Sequence, residues 1–402
     1  MPWKETCVMD GRMEMIVRIK HGESVSAVAR DLGVSRRTAH TWLQRYSAEG
    51  IDGLRDRSRA PHAHPNQIED TMREQILKLR DKYQWGALKL RGWLRDHLRD
   101  ERVPAASTIG QLLKAHGCTR PPKRRRVPRR SEPLAHCDAP NRVWCADFKG
   151  HFRTDDAQRC DPLTISDGYS RYLLCCENLT RTTFERVVPQ FDNVFRQYGL
   201  PDIIRTDNGV PFASTTGLGL SRLAVRWIKY GITPERIRPG KPQENGRHER
   251  MHRTLKDATL CPPAANAKQQ QQRFDAFRQH YNYERPHQSL NQQPPARHYS
   301  ASPRALPARV PPVEYPDDCT TYQVYDKGSF RWNGHLLHLS GVLGGEYIAT
   351  QPGPSERYLV IYFGHMPIAY IDTKYTRVIA KLPKKAWPHP EPEAKKGAQD
   401  PL

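Results

Sequence analysis

The sequence predicts a multidomain α/β protein: helical modules at the N-terminus, a mixed sheet flanked by helices in the middle, and a small β-barrel towards the C-terminus. Three observations predict it. Up to about residue 117, apolar residues recur at helical spacing between turn residues. From 141 to 299, short apolar runs alternate with long amphipathic stretches, the rhythm of a mixed sheet covered by helices. From 319 to 373, five short β-rich runs are separated by Gly, Pro and Asp, the rhythm of a small antiparallel barrel.

Length and charge bound the function. At 402 residues the chain has room for two or three domains. It carries 64 Lys and Arg against 43 Asp and Glu, a formal net charge of +21. Such an excess points to a polyanionic partner, because each neutralised phosphate releases condensed counterions. No stretch approaches the ~20 apolar residues that span a bilayer, and the N-terminus lacks the apolar run of a signal peptide. The nine cysteines include no C-x-x-C pair, which reads as a reducing compartment rather than a disulfide framework.

The first module is placed at 1–58. Val25, Val28, Ala29 and Leu32 form one helical stripe, Gly33 makes a turn, and Ser35 caps a second helix whose apolar face is Ala39, Trp42 and Leu43. Two short helices joined through a glycine turn are the helix-turn-helix pattern. Its second helix presents Arg36, Arg37, Thr38, His40 and Thr41, side chains suited to the DNA major groove. A second helical module, possible winged helix included, is placed at 59–118. Its stripes are Ile76, Leu79 and Tyr83, then Leu88, Leu90, Trp93, Leu94 and Leu98, then a helix from Pro104 through Ile109, Leu112 and Leu113 to Gly117. Residues 119–139 follow as a basic linker. Seven of the twelve residues 119–130 are Arg or Lys and three are Pro, so Arg124, Arg125 and Arg126 sit on an extended, phosphate-tracking arm.

The core is placed at 140–300. RVWCADFKGHF reads as a strand, DPLTISDGYSRYLLCCENL as two strands around Asp167-Gly168, and TTFERVVPQFDNVFRQYG as a helix that Pro189 bends. DIIRTDNG is a short buried strand, TGLGLSRLAVRWIKYG a helix, ERIRPGKP a strand or loop, and QENGRHERMHRTLKDATL a further helix. A Pro-rich linker at 301–318, a small β-barrel at 319–378 and a disordered tail at 379–402 complete the chain.

The chemistry lies in three acids of this basic chain. Asp147 sits among Trp144, Cys145, Ala146 and Phe148 on an apolar strand, Asp207 ends the strand IIRT, and Glu249 lies on the helix after PQENG. An acid flanked by apolar strand residues must be paired, protonated or ligated to a cation. Three such acids meeting at one end of a sheet would make a hard oxygen cage for Mg²⁺ or Mn²⁺. Two such ions about 3.5–4 Å apart serve phosphoryl transfer without a covalent protein nucleophile. On the helix, Glu249, Arg253 and Lys256 share a face at i, i+4 and i+7, so the cations could hold DNA phosphates beside the acid. A salt bridge is the plain alternative for any one acid, including Glu249 with Arg253.

WCADFKGHF, the IIRTDNG turn and RPGKPQENGRHERMHRTLK closely resemble the integrase-type catalytic core of bacterial insertion-sequence transposases, and YNYERPHQSL resembles the usual end of that core. The resemblance covers about residues 20–300, with several separated motifs in order. It implies a ribonuclease-H-like fold and a DDE triad of Asp147, Asp207 and, at the N-G-x-x-E position, Glu249. It also implies two Mg²⁺ ions (or Mn²⁺), cleavage that frees a 3′-hydroxyl, transfer of that end to target DNA, and a homo-multimer on double-stranded DNA in the nucleoid of a bacterial cytoplasm. A catalytically inactive DNA-binding regulator on the same fold is the rival reading.

Two departures bear on the third acid. Between Asp207 and Glu249 lie 41 residues, more than in many relatives, and the loop ASTTGLGLSR is the expected site of the extra length. Glu244 is the rival third acid. In addition, His248, Glu249 and His252 spell H-E-x-x-H, the zinc protease signature. That helix is basic, Arg250 interrupts the motif, and no third ligand follows, so zinc proteolysis is set aside. Asp155, Asp156 and Asp161 are expected to be solvated loop residues, and Asp167 a structural turn residue.

Overall fold

The computed structural model describes residues 8–58, 68–98, 103–119, 135–214, 218–238 and 240–383. The chain divides into two compact units, Met1–Glu69 and Asp70–Leu402.

In the first unit, α1 (Val8–Lys20), α2 (Val25–Asp31) and α3 (Arg36–Glu49) enclose Met15, Ile16, Val28, Ala29, Ala39 and Leu54, with Trp42 and Leu43 packed against them. Both helices of the expected pair start on a serine cap. Ser24 accepts from the Ala27 N–H and Ser35 from the Thr38 N–H, each satisfying an amide the helix leaves free. Gly33 turns the chain between them at φ +65°, a conformation glycine adopts without penalty. Sequence patterning missed α1, which supplies Met15 and Ile16 to this small core.

The second unit opens with α4 (Asp70–Tyr83), α5 (Ala87–His97) and α6 (Ala106–Ala115), joined through Ile76, Trp85, Leu90, Leu94, Ile109 and Leu113. The third helix starts at Ala106, two residues after Pro104, and Leu88 points outward. No strand accompanies these helices among the described residues, so no wing is present there. Tyr83 and Trp85 stack on His280, and the Tyr83 hydroxyl donates to Glu284 at 2.9 Å.

The central sheet contains β1 (Val143–Phe148), β2 (Phe152–Arg153), β3 (Arg159–Asp167) and β4 (Leu173–Leu179). After α7 (Phe184–Tyr198) come β5 (Ile203–Thr206), α8 (Arg222–Lys229) and β6 (Thr233–Arg236). β3 lies antiparallel between β4 and β1, β5 and β6 continue parallel to β1, and β2 pairs with the start of β3. The sheet is mixed and covered by helices, as the sequence predicted. Side chains alternate between its faces. Trp144, Ala146, Leu163 and Ile165 pack against Phe191 and Phe195 of α7 and Trp227 of α8. On the opposite face lie α9 (Gly246–Thr259) and α10 (Ala267–Gln279), with Met251, Leu255, Phe274 and Phe277 against Cys160, Leu173 and Cys176. Asp147, one residue beyond Ala146 on β1, therefore belongs to the α9 side.

Residues 301–318 are docked on this core. Ser302 N–H donates to Tyr198, Leu200 N–H donates to Arg304, and the Arg304 guanidinium caps the carbonyls of Pro201, Tyr230 and Gly231. Beyond them come β7 (Thr320–Gln323), β8 (Ser329–Trp332), β9 (His335–His338), β10 (Tyr347–Pro352), β11 (Tyr358–Phe363), β12 (Met366–Asp372) and β13 (Arg377–Ile379). β7 to β12 fall where β-rich runs predicted them and β13 lies beyond those runs, but the expected barrel does not close. The order β13-β12-β11-β10-β7 is an open antiparallel sheet, and β8 and β9 form a separate hairpin. The hairpin turns at Asn333-Gly334, both at positive φ, and pairs only with itself, so it does not bridge the two edges. Phe330, Leu337, Ile348, Ile361 and Phe363 of this region pack against Ala224, Val225 and Ile228, leaving α8 apolar on both sides.

The basic-arm residues Arg124, Arg125 and Arg126 and the tail from 384 lie outside the described residues, as do 215–217 within the long loop. No described helix is long and apolar enough to cross a membrane. The eight described cysteines are free thiols, and burial pushes those of Cys175 and Cys176 up in pKa.

Candidate active site

Strand register brings the acids together. β1 and β5 run parallel with Ala146 opposite Thr206, so Asp147 and Asp207 occupy the next positions of adjacent strands. Across β1, Asp147 faces Thr164 of β3. The third acid, Glu249, is exposed in the first turn of α9. The charges of Asp207 and Glu249 both reach Asp147. Burial first, then the charges of Asp207 and Glu249, push Asp147 up to about 7. The Asp147 side chain is 18% exposed, and no described arginine or lysine forms an ion pair with it. Asp207 accepts from the Gly209 N–H at 3.0 Å.

The rival acid has another occupation. Glu244 is buried and accepts from both the backbone N–H and the Nε of Arg238, at 2.8 and 2.7 Å. Those two donors, the backbone one foremost, hold its carboxyl below the ordinary value. Glu249 has no such partner among the described residues: the alternative i, i+4 pair with Arg253 is not formed, and Arg253 and Lys256 are exposed on α9.

Sequence reading missed the polar groups beneath Asp147. Thr164 Oγ1 donates to the Asp147 carbonyl at 3.0 Å and lies 2.7 Å from Nε2 of both His248 and His252. Ser166 Oγ stands 2.9 Å from His248 Nδ1. His252 Nδ1 faces Asp147 Oδ2 at 3.8 Å, and Asn245 Nδ2 reaches the same oxygen at 3.5 Å. Burial pushes His248 down to about 3 and His252 to about 2, so both rings are neutral. The H-E-x-x-H spacing did flag the two histidines, but their Nε2 atoms share one threonine hydroxyl instead of presenting a zinc pair.

The donor set suits a divalent cation. Asp147 and Asp207 are acceptors of like charge at the ends of adjacent strands, and Asn245 Oδ1 is buried without a hydrogen-bond partner beside Asp147. Asp147, His248 and His252 each place a ligand-type atom within 4.8 Å of the others.

The remaining residues are sorted by place. Arg36, Arg37, His40 and Thr41 are exposed on α3 and Thr38 is half-buried beneath its cap, all in the first unit. Asp167 is structural as expected, accepting from Asn141 and Ser170. Asp155 and Asp156 are exposed, but Asp161 is not a solvated loop acid: it is buried in β3 and paired with Arg159.

Known proteins give the same division. Residues 138–242 and 230–295 match Integrase core domain families, 12–62 a Helix-turn-helix domain and 38–113 a Homeodomain-like domain. The chain is 30% identical over 188 residues to the insertion element IS407 uncharacterized 31.7 kDa protein of Burkholderia multivorans, covering 46% of this chain and 64% of that one. It is 30% identical over 179 residues to the insertion element IS476 uncharacterized 39.2 kDa protein of Xanthomonas euvesicatoria, covering 43% and 49%. The chain thus spans about half to two-thirds of the length of these relatives. The HTLV-2 integrase catalytic core domain in complex with magnesium superposes on 40% of this chain and 98% of its own, at 16% identity and a TM-score of 0.33. The chain thus carries an integrase core domain over residues 138–295 behind helix-turn-helix and homeodomain-like domains, and it is similar to proteins of insertion elements.

Proposed function

We propose that this chain is a DDE transposase that cleaves DNA at the 3′ ends of an insertion sequence and joins those ends to target DNA. The observation that carries this reading is Asp147: a carboxylate on an apolar strand, with no arginine or lysine ion pair among the described residues, near two further acids. Asp147, Asp207 and Glu249 would hold two Mg²⁺ or Mn²⁺ ions through oxygen. Bound, such ions supply charge stabilisation and an activated oxygen for phosphoryl transfer. Water adds to the phosphorus at the element end, the P–O3′ bond breaks, and a 3′-hydroxyl and a 5′-phosphate result. The 3′-hydroxyl then attacks a target phosphodiester, forming one P–O bond as another breaks, so no external energy source is required.

The chain's other residues bind and orient. Arg36, Arg37, Thr38, His40 and Thr41 read the element end in the major groove, while Arg124, Arg125 and Arg126 track phosphates towards the core. Arg253 and Lys256, exposed and without ion pairs among the described residues, hold phosphates on the helix that carries Glu249. Glu244 serves structure through Arg238. Two ends must be joined in one event, so the working form is a homo-multimer on double-stranded DNA, acting in the bacterial cytoplasm at the nucleoid.

The test is incubation of the full chain with Mg²⁺ or Mn²⁺ and duplexes carrying the element ends. Nicked ends and joined products are expected. Asp147→Ala, Asp207→Ala and Glu249→Ala should each reduce both by more than about 100-fold while end binding persists. Wild-type binding without any cleavage would instead support a DNA-binding regulator.

A further inference from the structure

Hydrogen-bond accounting beneath Asp147 leads to a second kind of ligand. Thr164 has a single hydroxyl proton, and its bond to the Asp147 carbonyl, which only accepts, uses that proton. Both histidine Nε2 atoms lie 2.7 Å from the same oxygen, so both must donate to its lone pairs. Donation from Nε2 leaves Nδ1 of a singly protonated ring with its lone pair. His248 Nδ1 is satisfied by the Ser166 hydroxyl at 2.9 Å. His252 Nδ1 is not satisfied in this way. It faces Asp147 Oδ2 at 3.8 Å, too long for a hydrogen bond, and both atoms are acceptors once Asp147 is ionised, the form a metal ligand requires.

Two acceptors turned towards each other, on side chains 8% and 18% exposed, form a pair of donors suited to a shared cation. Two donors sharing one tetrahedral ion, each about 2.1 Å from it, stand about 3.4 Å apart. The observed 3.8 Å closes to that with a shift of a few tenths of an ångström. A second observation points to the same place. Asn245 is 4% exposed, its Nδ2 lies 3.5 Å from Asp147 Oδ2, and its Oδ1 is buried without a partner. His248 is excluded as a ligand, because both of its nitrogens are engaged.

We propose that His252 Nδ1 is a nitrogen ligand to the divalent cation held at Asp147, which makes this position a mixed nitrogen–oxygen site for borderline ions (Mn²⁺, Co²⁺, Zn²⁺) in preference to Mg²⁺. The Thr164 hydroxyl, by accepting from Nε2, fixes the ring so that Nδ1 faces the ion. Imidazole suits such ions, whereas Mg²⁺ favours an all-oxygen shell. The inference rests on the reading of Asp147 as a metal ligand and adds to it a metal preference that three carboxylates alone would not give.

The test is Co²⁺ titration of the untagged full-length protein, followed by its visible absorption, with Mg²⁺ affinity measured by calorimetry. His252→Gln should lose at least about tenfold in Co²⁺ affinity while its Mg²⁺ affinity stays within about twofold, and Asp147→Asn should lose both. Unchanged Co²⁺ binding in His252→Gln would overturn the proposal. So would equal loss of both metals, which marks a merely structural histidine. Should His252→Gln fail to fold, pulsed electron paramagnetic resonance of Mn²⁺ on the wild type decides: imidazole nitrogen coupling, absent in Asp147→Asn, is expected, and its absence refutes the assignment. Failure of end cleavage with His252-dependent Co²⁺ binding intact would sink the transposase reading and leave this site standing. Cleavage with no such dependence would do the reverse.

Discussion

Asp147 of the central sheet and Asp372 of the C-terminal sheet are both strand aspartates largely withdrawn from water, yet their surroundings are opposite. Asp372, 2% exposed, receives two hydrogen bonds from the Arg357 guanidinium, at 2.9 and 2.7 Å, which hold its carboxyl below the ordinary value. Asp147 receives no such pair and is pushed up to about 7 by burial and neighbouring acids. One acid is finished by its own protein, and the other is left wanting a cation. The same contrast separates Glu244, locked to Arg238, from Glu249, exposed and without an ion pair among the described residues. A partner supplied within the fold suits a structural acid, and a partner withheld beside further acids is what the proposed cation-binding role requires.

The largest effect that could break this contrast is on activity. Asp147→Asn should lower end cleavage by more than about 100-fold, whereas Asp372→Asn should leave cleavage per folded molecule within about twofold. Stability should move the other way. Discounted for the 39% exposure of Arg357, Asp372→Asn should cost about 1–2 kcal/mol, read as a lower denaturation midpoint. Asp147→Asn should stabilise the metal-free protein at pH 8 by about 1 kcal/mol or more, because it removes a buried charge. A loss of stability in Asp147→Asn would place that acid with Asp372 among the structural ones. Within the core, Glu244→Gln should cost about 1–2 kcal/mol and keep Mn²⁺ binding, while Glu249→Gln should weaken Mn²⁺ binding with little change in stability.

The smallest effect, and the sharpest in sign, is pH dependence without metal. The folded value of Asp147, about 7, exceeds the unfolded value near 3.9, so the native state binds the extra proton between them. Its contribution to stability is full below about pH 4 and is lost as pH rises through about 7. Asp372 is shifted down, so its contribution is present above about pH 4 and is lost as pH falls through its folded value. The advantage of Asp147→Asn over wild type should therefore shrink from pH 8 and vanish near pH 4. The deficit of Asp372→Asn should hold over that range and shrink only below it. Denaturant melts at each pH read both.

What was legible in the sequence follows from how local each signal is. Asp147 and Asp207 stood out because an acid in an apolar strand is costly, and α2 and α3 because their serine caps and Gly33 are local devices. Thr164 was hidden, because a threonine in a buried strand looks like packing until β3 is set against β1 and α9. Asn245 carries no signal of its own beyond its place in N-G-x-x-E, and His252 reads as half of a zinc motif, since spacing gives a helical face but not what that face meets. The helix α10 has few apolar residues, Phe274 and Phe277 among glutamines, too sparse for a periodicity signal. Closure of the C-terminal strands failed as an expectation because alternation fixes which side chains face a core, not which edges pair.

The central claim is that Asp147, Asp207 and Glu249 hold divalent cations between them. Anomalous diffraction from crystals of the full chain soaked in Mn²⁺ tests it most directly. The prediction is manganese density within ligand distance of Asp147 and of at least one of Asp207 and Glu249, lost in Asp147→Asn. Manganese found only elsewhere, with these three carboxylates free of it, would contradict the claim.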